Sequence, residues 1–421
     1  MIKRILIGLS VMTMCQVVFA GGFKIGLQGL KQNGMGHTGI GFAQDAATIY
    51  FNPGGMPFTQ SQINGGLNLL MPSISFLDHA TNTLTNATNQ VFTPFSVYGS
   101  AKLAPRLHMG IGVYTPFGSG VMYPTDWSGR YILSKINLQV VNIQPTIAYK
   151  VTDEIGIGIG YIFSNGKVQL EKDLPLLSGS DEQIAHATLD GKAHGAGFNA
   201  GIYYQPDSKT SFGITYHSKI VMKVEDGNAT FDNVPAALAS SFPAKNKFTS
   251  ELTLPSELGI GYAYQVTSKL KAAFDFNYTF WKSYDSLGFN YEKNSASLTD
   301  AKSPRLYENA MAFRLGLQGE ISPSIIARVG AFYDQTPVPD GYVAPELPDN
   351  NKLGLTAGAS FTLHENFFID FSCLYENVFK RTQVNKESGL NGTFQTKVIA
   401  PGIGFTYLFN RTTSSRPSTK F

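Results

Sequence analysis

Cysteine, tryptophan and charge are all scarce in this chain. It has two Cys and two Trp in 421 residues, and Asp, Glu, Lys and Arg together make up only 15%. With Cys15 inside an apolar N-terminal stretch, Cys373 is left alone, so no internal disulfide, CxxC pair or zinc ligand set is available. Cys373 reads as a small apolar residue on a strand. A formal net charge of +3 lacks the clustered positive surface that phosphate backbones demand, which excludes nucleic acid as a partner. Long hydrophobic runs are missing as well. Past residue 20 none approaches the ~18 apolar residues of a spanning helix, which excludes a helical membrane protein. Disorder is excluded by a hydrophobic content of 43% and an aromatic content of 12%.

What the chain has instead is 43 Gly, 30 Phe and 20 Tyr, at a mean hydropathy of −0.05. That mixture suits apolar residues alternating with polar ones. The N-terminus names a compartment: Lys3 and Arg4 form a basic region, Ile5 to Met14 an apolar core, and Val18-Phe19-Ala20 the small-residue pattern cut before Gly21. Residues 1–20 are therefore expected to be a signal peptide. Lipoprotein acylation at Cys15 is the competing reading, weakened by Met14 where a small residue is usual.

From about Gln62 onward the dominant pattern has period two. In Leu270 to Trp281 the apolar positions Leu270, Ala272, Phe274, Phe276, Tyr278 and Phe280 alternate with Lys271, Asp275, Asn277 and Thr279. Ile155 to Phe163, Ala310 to Glu320 and Lys352 to Leu363 repeat the scheme. Fourteen candidate strands begin near Gln62, Phe92, Arg106, Ile136, Ile155, Ile184, Thr210, Phe248, Leu270, Tyr307, Ser324, Lys352, Asn366 and Phe394. Their connections alternate between tight turns and long polar stretches. A soluble sandwich would show the same alternation but has no reason to sort its loops by parity, so the expected fold is all-β: a transmembrane antiparallel barrel of about 14 strands over residues 61–409. Residues 21–60, rich in Gly and lacking alternation, are expected to plug the lumen as a hatch, with a disordered periplasmic tail as the alternative. Residues 410–421 form an extra tail beyond Phe409.

Two motifs mislead. Gly34-Met35-Gly36-His37-Thr38-Gly39 matches GxGxxG but has no βαβ context. The seven His are scattered with no HExxH, and His217-Ser218 has no orienting partner, so no metal, cofactor or catalytic residue is expected.

The leader does carry a signature: Gly34-Met35-Gly36, then Gly39 through Thr48, then Tyr50-Phe51-Asn52-Pro53-Gly54-Gly55-Met56. It resembles the hatch of the FadL/TodX family of outer-membrane transporters for long-chain fatty acids and other hydrophobic molecules. The resemblance continues in Tyr114 through Gly118, in Leu254 through Gly259 leading to Tyr278 through Trp281, and in Asp334 through Asp340 before Pro348-Asp349. Two departures stand out: the family's Asn-Pro-Ala reads Asn52-Pro53-Gly54, and the barrel's closing aromatic falls at Phe409.

The resemblance implies a hatch-plugged barrel of fourteen strands in the outer membrane of a Gram-negative cell, monomeric and surrounded by outer-membrane lipid. It also implies a hydrophobic groove between outer loops and a gap at an inward kink of the third strand. A dry path that leaves sideways into the bilayer spares an oily solute from water. Asn52, Pro53 and Gly54 are the expected gating turn. Gly110, Gly112 and Pro116 are the expected lateral opening, since Gly weakens a strand and Pro cannot donate to the ladder; room for the plug is the competing account of the two glycines. Leu174, Leu176 and Leu177, with Leu238 and Phe242, are the candidate groove, against ordinary packing between loops. Lys167, Arg314 and Arg328 are candidates for a carboxylate head group, against salt bridges with Asp275, Asp334 or Asp370. The expected function is facilitated diffusion of long-chain fatty acids, with uptake of aromatic hydrocarbons as the nearest alternative and a lipid-acting enzyme or an adhesin beyond it.

Overall fold

A computed structural model describes residues 21–178 and 181–409, with side chains described outside 177–183. The expected signal peptide and the C-terminal tail lie outside the described residues. Among these residues twenty strands join in one antiparallel sheet, and fourteen of them close a ring. The wall strands, in order, are Gln62–Asn68, Phe95–Ala104, Leu107–Met122, Lys135–Lys150, Ile155–Ser178, Asp181–Tyr204, Thr210–His217, Glu257–Gln265, Leu270–Thr279, Ala310–Ser322, Ile325–Asp334, Lys352–His364, Phe367–Val384 and Asn391–Leu408. Pairing of the first strand with both the second and the fourteenth completes the ring. Closure is what hydrocarbon demands, because an open sheet edge there would leave backbone groups without partners.

Every second connection is a tight turn, at 105–106, 151–154, 205–209, 266–269, 323–324 and 365–366, so all six lie on one rim. The other rim carries six additional strands: Met71–Asp78, Thr83–Asn86, Ile220–Asp232, Lys245–Leu254, Ser286–Tyr291 and Ala301–Pro304. The fifth and sixth wall strands have 24 residues each, roughly 80 Å of strand, where about 10 residues cross a bilayer. They stand far above the membrane.

The alternation sorts directly into two faces. On the fifth strand Ile157, Ile159, Tyr161 and Phe163 are 44–52% exposed while Ser164 is 1% exposed. On the ninth, Phe274 faces out and Asp275 is buried. An apolar outside around an interior holding Gln144, Asp275, Arg314 and Arg328 inverts the soluble pattern and suits a wall solvated by lipid. Among the described residues no helix is long and apolar enough to cross a membrane.

The leader forms only short turns of helix, Leu30–Asn33, Thr48–Phe51 and the 3-10 segment Pro53–Phe58. Its residues meet inward positions on strands all round the wall. Leu30 packs at Gly66 of the first strand, Ile49 at Gly110 of the third, Asn52 and Pro53 at Gly201 and Gly158, Ile40 and Gly41 at Gly213 and Gly261, and Met35 and Gly36 at Gly316 and Gly330. Three of these sites are cross-strand glycine pairs: Gly158 with Gly201, Gly213 with Gly261, and Gly316 with Gly330. Hydrogen atoms in place of side chains let leader and wall backbones meet in van der Waals contact.

A closed ring of this kind resists detergent at room temperature. The purified protein should give a β-dominated circular dichroism spectrum and migrate faster unboiled than boiled in gel electrophoresis; a helix-dominated spectrum would contradict the fold.

Candidate functional site

The third wall strand departs from its neighbours at one place. It pairs with the second strand in regular register from His108 opposite Lys102 to Tyr114 opposite Ser96, and with the fourth through a bulge between Tyr114 and Phe117. Beyond Tyr114 the second strand no longer accompanies it. Thr115 bridges the end of that ladder with its hydroxyl, which accepts from Phe95 N at 3.1 Å. The leader then takes the vacant edge: Ile25 N donates to Pro116 O at 2.9 Å, Gly118 N donates to Phe23 O at 3.0 Å, and Lys24 forms an antiparallel bridge with Phe117. Pro116, lacking an N–H, sits where the ladder gives out. Gly110 and Gly112 do not mark the break. Both are paired on each side, and a methyl at Gly110 would lie 2.6 Å from Ile49 Cδ1, so these glycines make room for the leader.

A cavity of about 360 Å³ opens at this break, with Phe23, Leu70, Phe92, Phe117, Leu138 and Val398 in its lining, a volume in the ~300–1,000 Å³ range of small-molecule sites. Val91 also lines it and is 59% exposed, which carries the lining to the protein surface. A second, more apolar cavity of about 90 Å³ lies among Ile136, Val140, Met222, Leu252, Leu287 and Phe289. Phe23, Leu138 and Leu347 line both cavities. The Phe23 ring is held edge-on to Trp281 and Tyr284, with centroids 5.0 and 5.5 Å away.

Asn52, Pro53 and Gly54 meet the wall directly. Asn52 Nδ2 donates to Ile40 O and, across to the sixth strand, to Ile202 O, each at 3.0 Å, while its Oδ1 accepts from Gly54 N at 3.1 Å. A side chain at position 54 would stand 2.7–2.9 Å from Gly201 O, Gly156 O and Tyr203 N. Glycine at this third position thus permits close approach rather than loosening the turn.

The three head-group candidates do not converge. Lys167 shares its face with the exposed Tyr161 and Phe163, and the unbroken register with the sixth strand carries it to the outside of the wall. The strand's parity therefore removes it from the lumen. Arg314 does face inward, bound to Asn277 Oδ1 at 3.1 Å and Asp334 at 3.2 Å. Arg328 donates to Gln318 at 2.7 Å and to Ser360 at 2.6 Å, and Ser360 in turn bonds Asp370. Both arginines are committed to the wall. Leu176 and Phe242 are buried in one cluster, against which Leu174 and Leu238 pack; the side chain of Leu177 lies outside the described ones. These residues come together where the far end of the fifth strand packs against the loop around Leu238 and Phe242.

Lys24 and Arg305 escaped the sequence reading, which named Asp275 only as an ion-pair partner. Lys24 pairs with Glu257, which also accepts from Asn277 and Thr279 at 3.0 and 2.8 Å. Asp275 accepts from Gly39 N and Ile40 N at 2.7 and 2.9 Å. Arg305, in the loop before the tenth strand, reaches the apolar cavity and pairs with Glu346 at 2.8 Å and Glu387 at 3.6 Å. Burial is the largest influence and opposes its charge, but Glu346 together with Tyr284 and Tyr307 outweighs it and holds Arg305 above its ordinary range. Lumen parity marked Asp275, but no local pattern distinguishes Lys24 or Arg305 from surface cations. Among the described residues no three His, Cys, Asp or Glu side chains come together as a metal site. His217 and Ser218 are spent on structure, on Tyr50 O at 3.0 Å and Phe198 N at 2.9 Å.

Comparisons with known proteins agree with this architecture. The profile of the family described as outer membrane protein transport protein (OMPP1/FadL/TodX) matches residues 11–412. A long-chain fatty acid transport protein of Escherichia coli is 23% identical, the alignment covering 93% of this chain and 95% of that one. The crystal structure of a Pseudomonas aeruginosa FadL homologue superposes with a TM-score of 0.80 at 18% identity, over 94% of this chain and all (100%) of that one. The Pseudomonas putida toluene transporter TodX gives 0.74 at 18% identity, over 93% and 100% of the two chains. The family consists of outer-membrane transport channels rather than enzymes, and from residue 11 to residue 412 this chain belongs to it.

Proposed function

We propose that this protein carries long-chain fatty acids across the outer membrane by facilitated diffusion, releasing them sideways through the wall beside the third strand. The observation that carries the reading is the break after Tyr114, where the second strand ends its pairing and residues 23–25 of the leader occupy the edge. A leader held to that edge by two backbone hydrogen bonds, with the Lys24–Glu257 ion pair beside them, is a removable strand. In this scheme residues 21–60 are the hatch: its backbone fills the lumen against water, and its first residues cover a lateral door. A greasy solute enters the apolar cavity, passes Phe23 into the larger cavity and leaves past Val91, staying out of bulk water throughout.

One observation favours an uncharged solute instead. Arg305, the cation lining the apolar cavity, is already neutralised by Glu346 and Glu387, so a carboxylate would have to displace them. Aromatic hydrocarbons need no such exchange. Native mass spectrometry of the detergent-purified protein, offered oleate and toluene together, separates the two: retention of oleate supports the first reading, retention of toluene alone the second.

Two predictions test the scheme itself. Replacing Asn52 and Pro53 by Ala removes the Asn52 bonds to Ile40 O, Ile202 O and Gly54 N, at about 1 kcal/mol each. Uptake of labelled oleate should fall at equal surface expression while the folded barrel keeps its gel mobility; unchanged uptake would deny the turn a role in gating. In a Cys373→Ser background, Lys24→Cys with Phe117→Cys places thiols at a bridged antiparallel pair, within disulfide reach. Oxidation should stop uptake and a reductant should restore it. Transport that continues with the bond formed would refute the door.

A further inference from the structure

Gly21 and Gly22 lie in a slot that admits no side chain. A methyl group on Gly22, whose φ is +69°, would stand 2.5 Å from the Trp281 ring, and one on Gly21 would stand 2.7 and 3.0 Å from the two carboxylate oxygens of Asp349. Gly22 N donates to Asp349 Oδ2 at 3.0 Å, and Thr336 Oγ1 donates to the same oxygen at 2.7 Å. The nitrogen of Gly21 shares its Cα with that methyl position, which puts it within about 5 Å of the carboxylate.

Asp349 is 5% exposed, and among the described residues no side-chain cation pairs with it. Its neighbours are already engaged: Arg314 pairs with Asp334 at 3.2 Å and Lys352 with Glu376 at 3.8 Å. Three acids, Asp334, Asp349 and Glu376, thus share two cations, and this group is one positive charge short. The pairs around it supply no surplus. Lys24 is held by Glu257, Arg305 by Glu346 and Glu387, and Arg381 by Asp340, while Arg381 reaches Asp349 only at its carbonyl, at 3.4 Å. A buried carboxylate bonded only by neutral donors is costly.

The sequence offers one further cation. Cutting the chain after Val18-Phe19-Ala20 adds water across the amide: Ala20 leaves with a carboxylate, and Gly21 keeps an amine that is protonated at neutral pH. We infer that the chain is processed to begin at Gly21 and that the α-ammonium so formed is the partner of Asp349, seated in a slot built by Asp349, Thr336 and Trp281. Proteolysis then creates a fastening as well as freeing the chain. The ion pair ties down the start of the leader, two residues before Phe23 and beside the edge that residues 23–25 occupy. An uncut chain presents a neutral amide there and leaves Asp349 unpaired. The consequence for transport rests on the lateral door proposed above; the ion pair does not.

The test uses the protein extracted from outer membranes into detergent. Intact mass should place its first residue at Gly21. The folded protein is then treated at neutral pH with a limiting amount of an acetylating ester, and modification of Gly21 is read by peptide mass spectrometry. An α-amine gives up its proton more readily than lysine and ordinarily reacts first. Paired with Asp349, it should react about tenfold or more slowly in the folded than in the boiled protein, since a close opposite charge favours the protonated form by about one pKa unit or more. Asp349→Asn should remove most of that protection and Asp349→Glu should keep much of it, while Asp226→Asn, at an exposed carboxylate of an outer loop, should change nothing. Gel mobility checks that each variant is folded. Should Asp349→Asn fail to assemble, a water-soluble carbodiimide applied to the wild-type protein takes up one water as its urea and joins the pair as an amide, so linked Gly21 and Asp349 peptides are the expected product. A chain that starts elsewhere, a Gly21 amine as reactive folded as boiled, protection retained in Asp349→Asn, or no linkage would overturn the inference. An exposed amine in Asp349→Asn with unchanged uptake of oleate would count against the door and leave the ion pair standing.

Discussion

Everything in this molecule follows from the need to pair backbone hydrogen-bonding groups where no water can do it. Fourteen strands meet that need for the wall by closing on themselves. The leader poses the harder problem, because its backbone is neither helix nor sheet for most of its length. Wall side chains supply what it lacks: Asp275 takes the amides of Gly39 and Ile40, Gln144 and Asn199 donate to Ile49 O at 2.7 and 2.9 Å, and Ser211 donates to Gly41 O at 2.7 Å. Such bonds need short distances, and the inward glycine pairs provide them. A polar interior lined with glycine is thus the condition for holding irregular backbone at membrane depth.

The fold was legible because a period-two signal survives in one dimension. Strand starts anticipated near Gln62, Ile155, Thr210, Leu270 and Lys352 coincide with the observed ones, and the tight turns were placed by their spacing alone. Where strands break within one crossing, the pattern misled. The eighth wall strand begins at Glu257, while Phe248 belongs to Lys245–Leu254, which extends beyond the rim. Apolar alternation continues through such an interruption, and Pro255, which cannot donate to the ladder, is the one local mark of it.

Site residues were legible only where parity or turn chemistry speaks. Parity placed Arg314 and Arg328 inward and would have placed Lys167 outward had the column from Tyr161 and Phe163 been followed to its end. Asn52 was visible as a turn former, yet its bond to Ile202 O joins residues 150 positions apart and has no local trace. The end of the ladder falls beside Pro116 on the strand singled out for a lateral opening, while Gly110 and Gly112 drew attention to positions where glycine serves the leader. A glycine in a strand reports that something comes close without saying what. The groove residues illustrate the same ambiguity, since Leu176 and Phe242 are as well explained by loop packing as by a ligand.

In the proposed scheme the lumen is closed to water and ions while a dry route leads sideways. Single-channel recording of the full-length protein in a planar bilayer tests this most directly. A filled lumen predicts no steady, porin-like conductance at any moderate voltage, and a stable open-pore current from the intact protein would contradict it.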